Sequence, residues 1–177
     1  MNLDIKQNHF TLFGLPEGFR LPLEELDRAY RKLAAEVHPD RFTHAPENER
    51  RLSMQWAMHV NEAYQTLKKP LKRAGYLLSL HGIDPAIETN TSMPHDFLIE
   101  QMEWRESLEE ANEGHDAAAL AGLETKLHAE MQALYAVAEG QLDAQHDYPA
   151  AAGTFRKLMF LDKLGEEIHY AITELDD

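Results

Sequence analysis

The sequence predicts an all-α protein with two helical domains, and three observations lead to this prediction. Apolar residues recur three and four positions apart along most of the 177 residues, which is the spacing of one face of a helix. Proline and glycine fall between these runs, where helices begin or end. No stretch shows the alternation of apolar and polar residues that indicates a half-buried strand. We therefore expect helices joined by short connections.

The first domain is predicted to span residues 1–82 and to contain four helical segments. A proline lies at or near the start of each of the later three, where its fixed backbone angle suits a first helical turn. The second segment is expected to end near Val37, because Pro39 disfavours helical geometry in the residue before it. The four segments are predicted at about 10–15, 22–37, 46–68 and 70–80.

The turn between the second and third segments reads His38-Pro39-Asp40. Gly, Asn or Ser would serve in an ordinary turn. This turn instead presents an imidazole and a carboxylate on a stiff bend. We therefore expect a function for these three residues beyond reversing the chain.

The helix before this turn has a basic face. Arg28, Arg31 and Lys32 are spaced three and four apart and so lie on one side of the helix, and Arg41 follows the turn. A face of this kind favours an acidic partner. The alternative is a solvated surface whose cations pair with carboxylates of the same helix, namely Glu24, Glu25 or Glu36.

The charge balance changes in the segment 83–92, which is rich in turn-forming residues and is predicted to link the domains. Residues 1–82 carry 12 Lys and Arg against 10 Asp and Glu, a net charge of +2. Residues 83–177 carry 5 against 21, a net charge of −16, which disfavours nucleic acid as a ligand. The two halves are therefore expected to face different partners.

The second domain, residues 93–177, is predicted to be an antiparallel three-helix bundle. Its three amphipathic helices are expected at about 94–112, 116–144 and 149–175, with short connections between them. Gly114 and the sequence Asp147-Tyr148-Pro149 separate these helices.

The first helix of this bundle has apolar residues on two sides. At about 100° per residue, one side is a sufficient core stripe, formed by Phe97, Trp104, Leu108 and Ala111. The far side carries three more apolar residues and three carboxylates, namely Leu98, Ile99, Met102, Glu103, Glu106 and Glu110. Contiguous apolar residues on an exposed face usually mark an interaction site. The alternative is that the first domain covers this side and buries it.

These features resemble known proteins. A short helix, a basic amphipathic helix, His-Pro-Asp and a longer helix are similar to the J-domain of DnaJ-type co-chaperones, over Phe10 to about Leu80. The segments Phe10–Pro16, Tyr76–Gly82 and Arg156–Leu164 extend the resemblance over nearly the whole chain, to the HscB family of J-domain co-chaperones for iron–sulfur cluster assembly.

The resemblance to a J-domain implies docking on the ATPase domain of a DnaK-type chaperone and stimulation of its ATP hydrolysis. Asp40 would pair with a cation of the chaperone and Pro39 would fix the angle of the turn. The residues implied in this docking are His38, Pro39, Asp40, Arg28, Arg31, Lys32 and Arg41. Arg41 departs from the lysine that commonly follows the tripeptide, which keeps the charge but changes the donor geometry.

The resemblance to the HscB family implies two named partners, the chaperone HscA and the scaffold protein IscU, on which iron–sulfur clusters are built. The scaffold-binding residues implied are Leu98, Ile99, Met102, Glu103, Glu106, Glu110 and Phe160. The helical-wheel argument identifies the first six residues without reference to the family. Phe160 lies on the flank of the apolar stripe of its helix, and the alternative is that it belongs to the core.

Other functions receive little support from the sequence. The chain has no Cys, so it has no disulfide and no thiolate for a cluster or a structural zinc. Its ten His show no ligand spacing on one helix, and no nucleophile or phosphate-loop motif is present. No cofactor, metal or catalytic residue is therefore expected. The first residues do not read as a signal peptide and no apolar run approaches a membrane span, so a cytoplasmic protein is expected.

Two matters stay open from the sequence. The sequence does not determine the oligomeric state, and a monomer is one of the options. A second functional hypothesis is a helical adaptor or holdase that binds protein clients through its apolar patch, without stimulating an ATPase.

Overall fold

A computed structural model describes residues 6–84 and 94–176 of the chain. The described residues are helical, with no strand among them, which confirms the predicted all-α class. The α-helices are α1 (His9–Leu12), α2 (Leu23–Val37), α3 (Glu47–Lys68), α4 (Pro70–Leu80), α5 (His95–Glu113), α6 (Ala117–Glu139) and α7 (Tyr148–Asp176). A 3₁₀ turn occupies Pro39–Phe42 and a π-helical turn occupies Gly140–Ala144.

The chain divides into two compact units, Met1–Leu77 and Leu78–Asp177, and the division falls inside α4. The predicted link at 83–92 lies outside the described residues from position 85 onward. None of the described helices has the length and apolar content needed to cross a bilayer.

The first unit is built around a hairpin of α2 and α3. Each helix buries the apolar stripe that the sequence predicts, because burial of that face against its neighbour stabilises a helix that is marginal alone. Core residues that are almost inaccessible include Phe10, Leu26, Val37, Val60 and Leu67.

Polar contacts join α2 and α3 at one end of the hairpin. The Tyr64 hydroxyl donates to the carboxylate of Asp27 at 2.8 Å, and Lys68 Nζ donates to the same hydroxyl at 2.6 Å. The ring of Tyr30 stacks on that of Tyr64, with centroids 3.9 Å apart. These contacts join α2 to α3 and so fix the helix that carries the basic face.

The second unit contains the antiparallel bundle of α5, α6 and α7, as predicted. Its centre is a cluster of buried side chains, namely Trp104, Leu127, Leu161, Leu164 and Ile168. Trp104 brings α5 into this core, and the ammonium of Lys126 on α6 lies 4.7 Å from the centre of its ring.

Three helix ends share one geometry. After α1, α4 and α5 the chain places a residue with positive φ at the position where a left-handed conformation closes the helix. At α4 this residue is Gly82, whose amide donates to Ser79 while that of Ile83 donates to Leu78. At α5 this residue is His115, with φ of 48°, which directly follows Gly114.

Candidate functional site

The predicted His-Pro-Asp turn is a 3₁₀ turn that begins directly after α2. His38 has an extended ψ of 128°, which ends the helix as the following proline requires. The amide of Asp40 donates to Nδ1 of His38 at 3.2 Å. His38 thereby caps the turn with its own side chain.

The carboxylate of Asp40 points into solvent. Its side chain is 86% exposed and lies 3.6 Å from Nδ1 of His38. A hydroxyl contact from Thr43 goes to the backbone carbonyl of Asp40, at 3.3 Å, and leaves the carboxylate free to meet a partner. The turn therefore presents an anion on a backbone that its own hydrogen bonds hold.

The cations of the basic face are exposed, and its two arginines contact backbone rather than carboxylates. Nε of Arg28 donates to the carbonyl of Glu24 at 3.4 Å, and Nε of Arg31 donates to that of Asp27 at 3.3 Å. Within residues 6–84, no ion pair joins Arg28, Arg31 or Lys32 to Glu24, Glu25 or Glu36. The alternative in which the face neutralises itself locally is therefore not what the structure shows.

Arg41 is placed apart from this face by a different contact. Its Nη1 donates to the carbonyl of Ala35 at 3.4 Å, across the turn and back to the end of α2. Its side chain is exposed, and Arg41 directly follows Asp40 in the chain.

The far side of α5 is open to solvent. Met102 is 71% exposed, and Leu98 and Ile99 are exposed as well, whereas Phe97 and Trp104 are buried on the opposite side. Within the bundle, α6 and α7 therefore pack against the opposite side of α5 and leave this side exposed. Three large apolar side chains in contact with water form a surface of the kind that partners cover.

Carboxylates border this apolar surface on the side that faces α6. Glu103, Glu106 and Glu110 are exposed and line an open trough of about 630 Å³ between the two helices. Trp104 and Lys126 complete its walls. Glutamates outnumber the one lysine in the lining of the trough, which therefore carries a net negative charge.

Phe160 of α7 is half-buried and packs against the core of the bundle. Its ring meets that of Phe97 edge to face, with centroids 5.9 Å apart, and the guanidinium of Arg105 lies 5.7 Å from its centre. Arg105 is itself held by an ion pair with Glu167. Phe160 is thus packed like a core residue on one side and is accessible on the other.

Sequence reasoning missed exposed apolar residues on α3. Met54 and Met58 are 57% and 74% exposed, and both lie outside the buried stripe that contains Trp56 and Val60. A helical wheel of α3 would have found them, because both fall away from that stripe at about 100° per residue. No group of three His, Asp or Glu among the described residues is placed to hold a metal ion.

Two family models match the chain. The DnaJ domain matches residues 8–76, and the HSCB C-terminal oligomerisation domain matches residues 93–169. Together they cover both helical units and correspond to the J-domain and the bundle predicted from the sequence.

Similar proteins match this chain over nearly its whole length. A co-chaperone protein HscB homolog of Azoarcus sp. strain BH72 is 48% identical over 177 residues, covering 100% of both chains. The solved structure of chaperone HscB from Vibrio cholerae has a TM-score of 0.83 and 43% identity, covering 96% of this chain and 99% of that one. The crystal structure of human co-chaperone protein HscB has a TM-score of 0.88 and 32% identity, covering 95% and 83%. With a DnaJ domain, a matching C-terminal domain and full-length relatives of this kind, the chain belongs to the HscB family of co-chaperones, which is not a family of enzymes.

Proposed function

We propose that this protein docks on the DnaK-type chaperone HscA, stimulates its ATP hydrolysis, and delivers the scaffold protein IscU to it during iron–sulfur cluster assembly in the cytoplasm. The observation that carries the proposal is the presence of two exposed surfaces of unlike chemistry. One combines an exposed carboxylate with cations, and the other combines aliphatic side chains with carboxylates.

Docking on the chaperone is proposed for the first surface. Arg28, Arg31 and Lys32 attract an acidic face of the ATPase, which raises the association rate in a salt-sensitive way. The exposed Asp40 pairs with a cation of the ATPase, and Pro39 and His38 hold the backbone that aims it. Arg41 adds a donor beside this contact.

Scaffold binding is proposed for the second surface. Leu98, Ile99 and Met102 supply apolar area that becomes buried on binding, and methionine adapts its shape to a partner. The bordering carboxylates, Glu103, Glu106 and Glu110, select a partner with basic residues around an apolar centre. Phe160 supplies an aromatic edge next to this surface.

The proposed domain limits follow from assigning chaperone docking and scaffold binding to different domains. Residues 1–82 form the J-domain, 83–92 the link and 93–177 the scaffold-binding bundle. No chemistry on a substrate is assigned to either domain.

The competing function is a helical adaptor or holdase that binds clients without an ATPase. The two are separated by measuring ATP hydrolysis of a purified HscA-type chaperone with the wild-type chain and with Asp40→Asn. We expect the wild type to stimulate hydrolysis and the variant to lose the stimulation while binding IscU as tightly as before. A wild type that binds IscU but leaves the ATPase rate unchanged would favour the adaptor.

A further inference from the structure

An exposed face of α3 has no role in the surfaces described so far. Met54 and Met58 are four residues apart and lie on one face, and Arg50 and Arg51 precede Met54 by four and three residues on the same face. Both methionines are more than half exposed, Met58 at 74%. A surface helix rarely presents two large apolar side chains one turn apart to water unless they contact a partner.

This face borders the His-Pro-Asp turn. An open groove of about 460 Å³ runs between the turn and α3, with Pro39 and Asp40 on one wall and Arg50, Arg51 and Met54 on the other. One end of the methionine pair therefore shares a groove with the carboxylate that is proposed to contact the chaperone.

Interface size argues that the same partner covers both. A stable protein interface buries about 800 Å² on each side. The turn has only four residues, and the docking surface proposed on α2 consists of three cations. The groove continues the turn directly to Met54, and Met58 lies one helical turn further along α3. A partner protein that contacts the carboxylate of Asp40 therefore also lies over the groove.

We propose that Met54 and Met58 are the apolar part of the chaperone-docking surface, which receives an aliphatic or aromatic side chain of the ATPase flanked by a carboxylate that pairs with Arg50 or Arg51. This inference rests on the proposed function and names a part of the docking surface outside α2 and the turn. The adaptable thioether side chains suit such a contact. The cations of α2 act on the rate of encounter, whereas the methionines act on the lifetime of the complex.

The test is the double variant M54Q/M58Q in the full chain, since glutamine keeps the length and the helix propensity of methionine but removes the apolar contact. The ATPase rate of a purified HscA-type chaperone is measured at increasing concentrations of each protein. The rate at which each protein dissociates from the chaperone is measured by surface plasmon resonance. We expect the concentration for half-maximal stimulation to rise about tenfold, mainly through faster dissociation, with maximal stimulation and IscU binding retained.

Matched controls separate this inference from the proposed function. Leu52→Gln replaces an exposed apolar residue on the other side of α3 and should leave the titration unchanged. Met58→Gln alone, at the more exposed position, should give an intermediate effect and keeps the test available should the double variant fold poorly. A wild type that fails to stimulate overturns the proposed function. A stimulating wild type with an indistinguishable M54Q/M58Q, or a double variant that loses IscU binding instead, overturns the inference alone.

Discussion

His9 shows how a single residue connects distant parts of the first unit. Its ring stacks on Tyr76 with centroids 4.2 Å apart, its amide donates to the hydroxyl of Tyr76 at 2.9 Å, and its ring edge meets His59. Nδ1 of His9 and Nε2 of His59 are buried without a hydrogen-bond partner. Protonation of His9 would therefore bring a charge into a stacked ring contact.

This contact predicts a pH dependence of stability. Burial lowers the pKa of His9 below its ordinary value of 6.5, and His59 lowers it further, while Glu62 opposes the shift. Because the unfolded chain then binds the proton more tightly, the stability of the first unit is full above about pH 6.5 and is lost as the pH falls from there through the folded pKa. The variant His9→Phe keeps the stacked ring and should lose less stability between about pH 7 and pH 5 in urea unfolding.

A wild type and a His9→Phe variant that lose the same stability over this pH range would contradict the assignment.

Met102 tests the apolar surface of the bundle. Because the side chain is 71% exposed, Met102→Glu should change the unfolding free energy by no more than about 0.5 kcal/mol. It adds a carboxylate at the centre of a proposed interface, so IscU affinity should fall by roughly tenfold or more. Isothermal titration calorimetry with purified IscU measures the affinity, and thermal melting measures the stability.

The matched variant is Val137→Glu, a substitution of an exposed apolar residue on α6. It should leave the affinity unchanged. A Met102→Glu protein that melts much earlier, or that binds IscU as tightly as the wild type, would rule out the scaffold surface as proposed.

The sequence predicts some of these residues but not others. Helical periodicity alone places Leu98, Ile99 and Met102 on one side of α5, away from the core stripe. That this side is exposed comes from the structure. The contact of His9 with His59 and Tyr76 does not follow from periodicity, since it joins residues 50 and 67 positions apart that only tertiary packing brings together.

At the scale of helices, the end of α5 offers a prediction about stability. His115 has φ of 48°, a left-handed conformation that costs a residue with a Cβ about 1 kcal/mol. His115→Gly should therefore raise the unfolding free energy by roughly 0.5 kcal/mol, the gain being reduced by the larger freedom of glycine in the unfolded chain. Urea unfolding monitored by circular dichroism measures this difference.

Gly82→Ala serves as the opposite change, because Gly82 holds the equivalent position after α4 with φ of 78°. It should lower the stability by about 1 kcal/mol. A His115→Gly protein that is clearly less stable than the wild type would show that the hydrogen bond between Nδ1 of His115 and the carbonyl of Glu113 matters more than backbone strain.

Helix positions were largely predictable, because proline and glycine mark them in the sequence. The end of α2 before Pro39 and the start of α4 at Pro70 are local consequences of proline geometry. The π-helical turn at Gly140–Ala144 and the left-handed conformation at His115 rather than Gly114 were not predictable. Several backbone geometries are open to those residues, and packing against neighbouring helices selects among them.

At the scale of the whole molecule, charge separates the two proposed tasks. The first 82 residues carry a net charge of +2 and the remainder −16, so the two halves are expected to favour partners of different charge. This asymmetry is readable from the sequence without any structure. The exposure of the Asp40 carboxylate and of the α5 surface had to come from the fold.

The central claim is that one chain binds a chaperone and its cargo through separate surfaces. Its most direct test is the ATPase rate of an HscA-type chaperone with and without IscU, measured for the wild type, Asp40→Asn and Met102→Glu. Asp40→Asn should abolish stimulation under both conditions, with unchanged IscU binding and a melting temperature close to that of the wild type. Met102→Glu should keep the stimulation under both conditions and lose affinity for IscU, which isothermal titration calorimetry measures. Loss of both activities in either variant while it stays folded, or full stimulation by Asp40→Asn, would contradict the account.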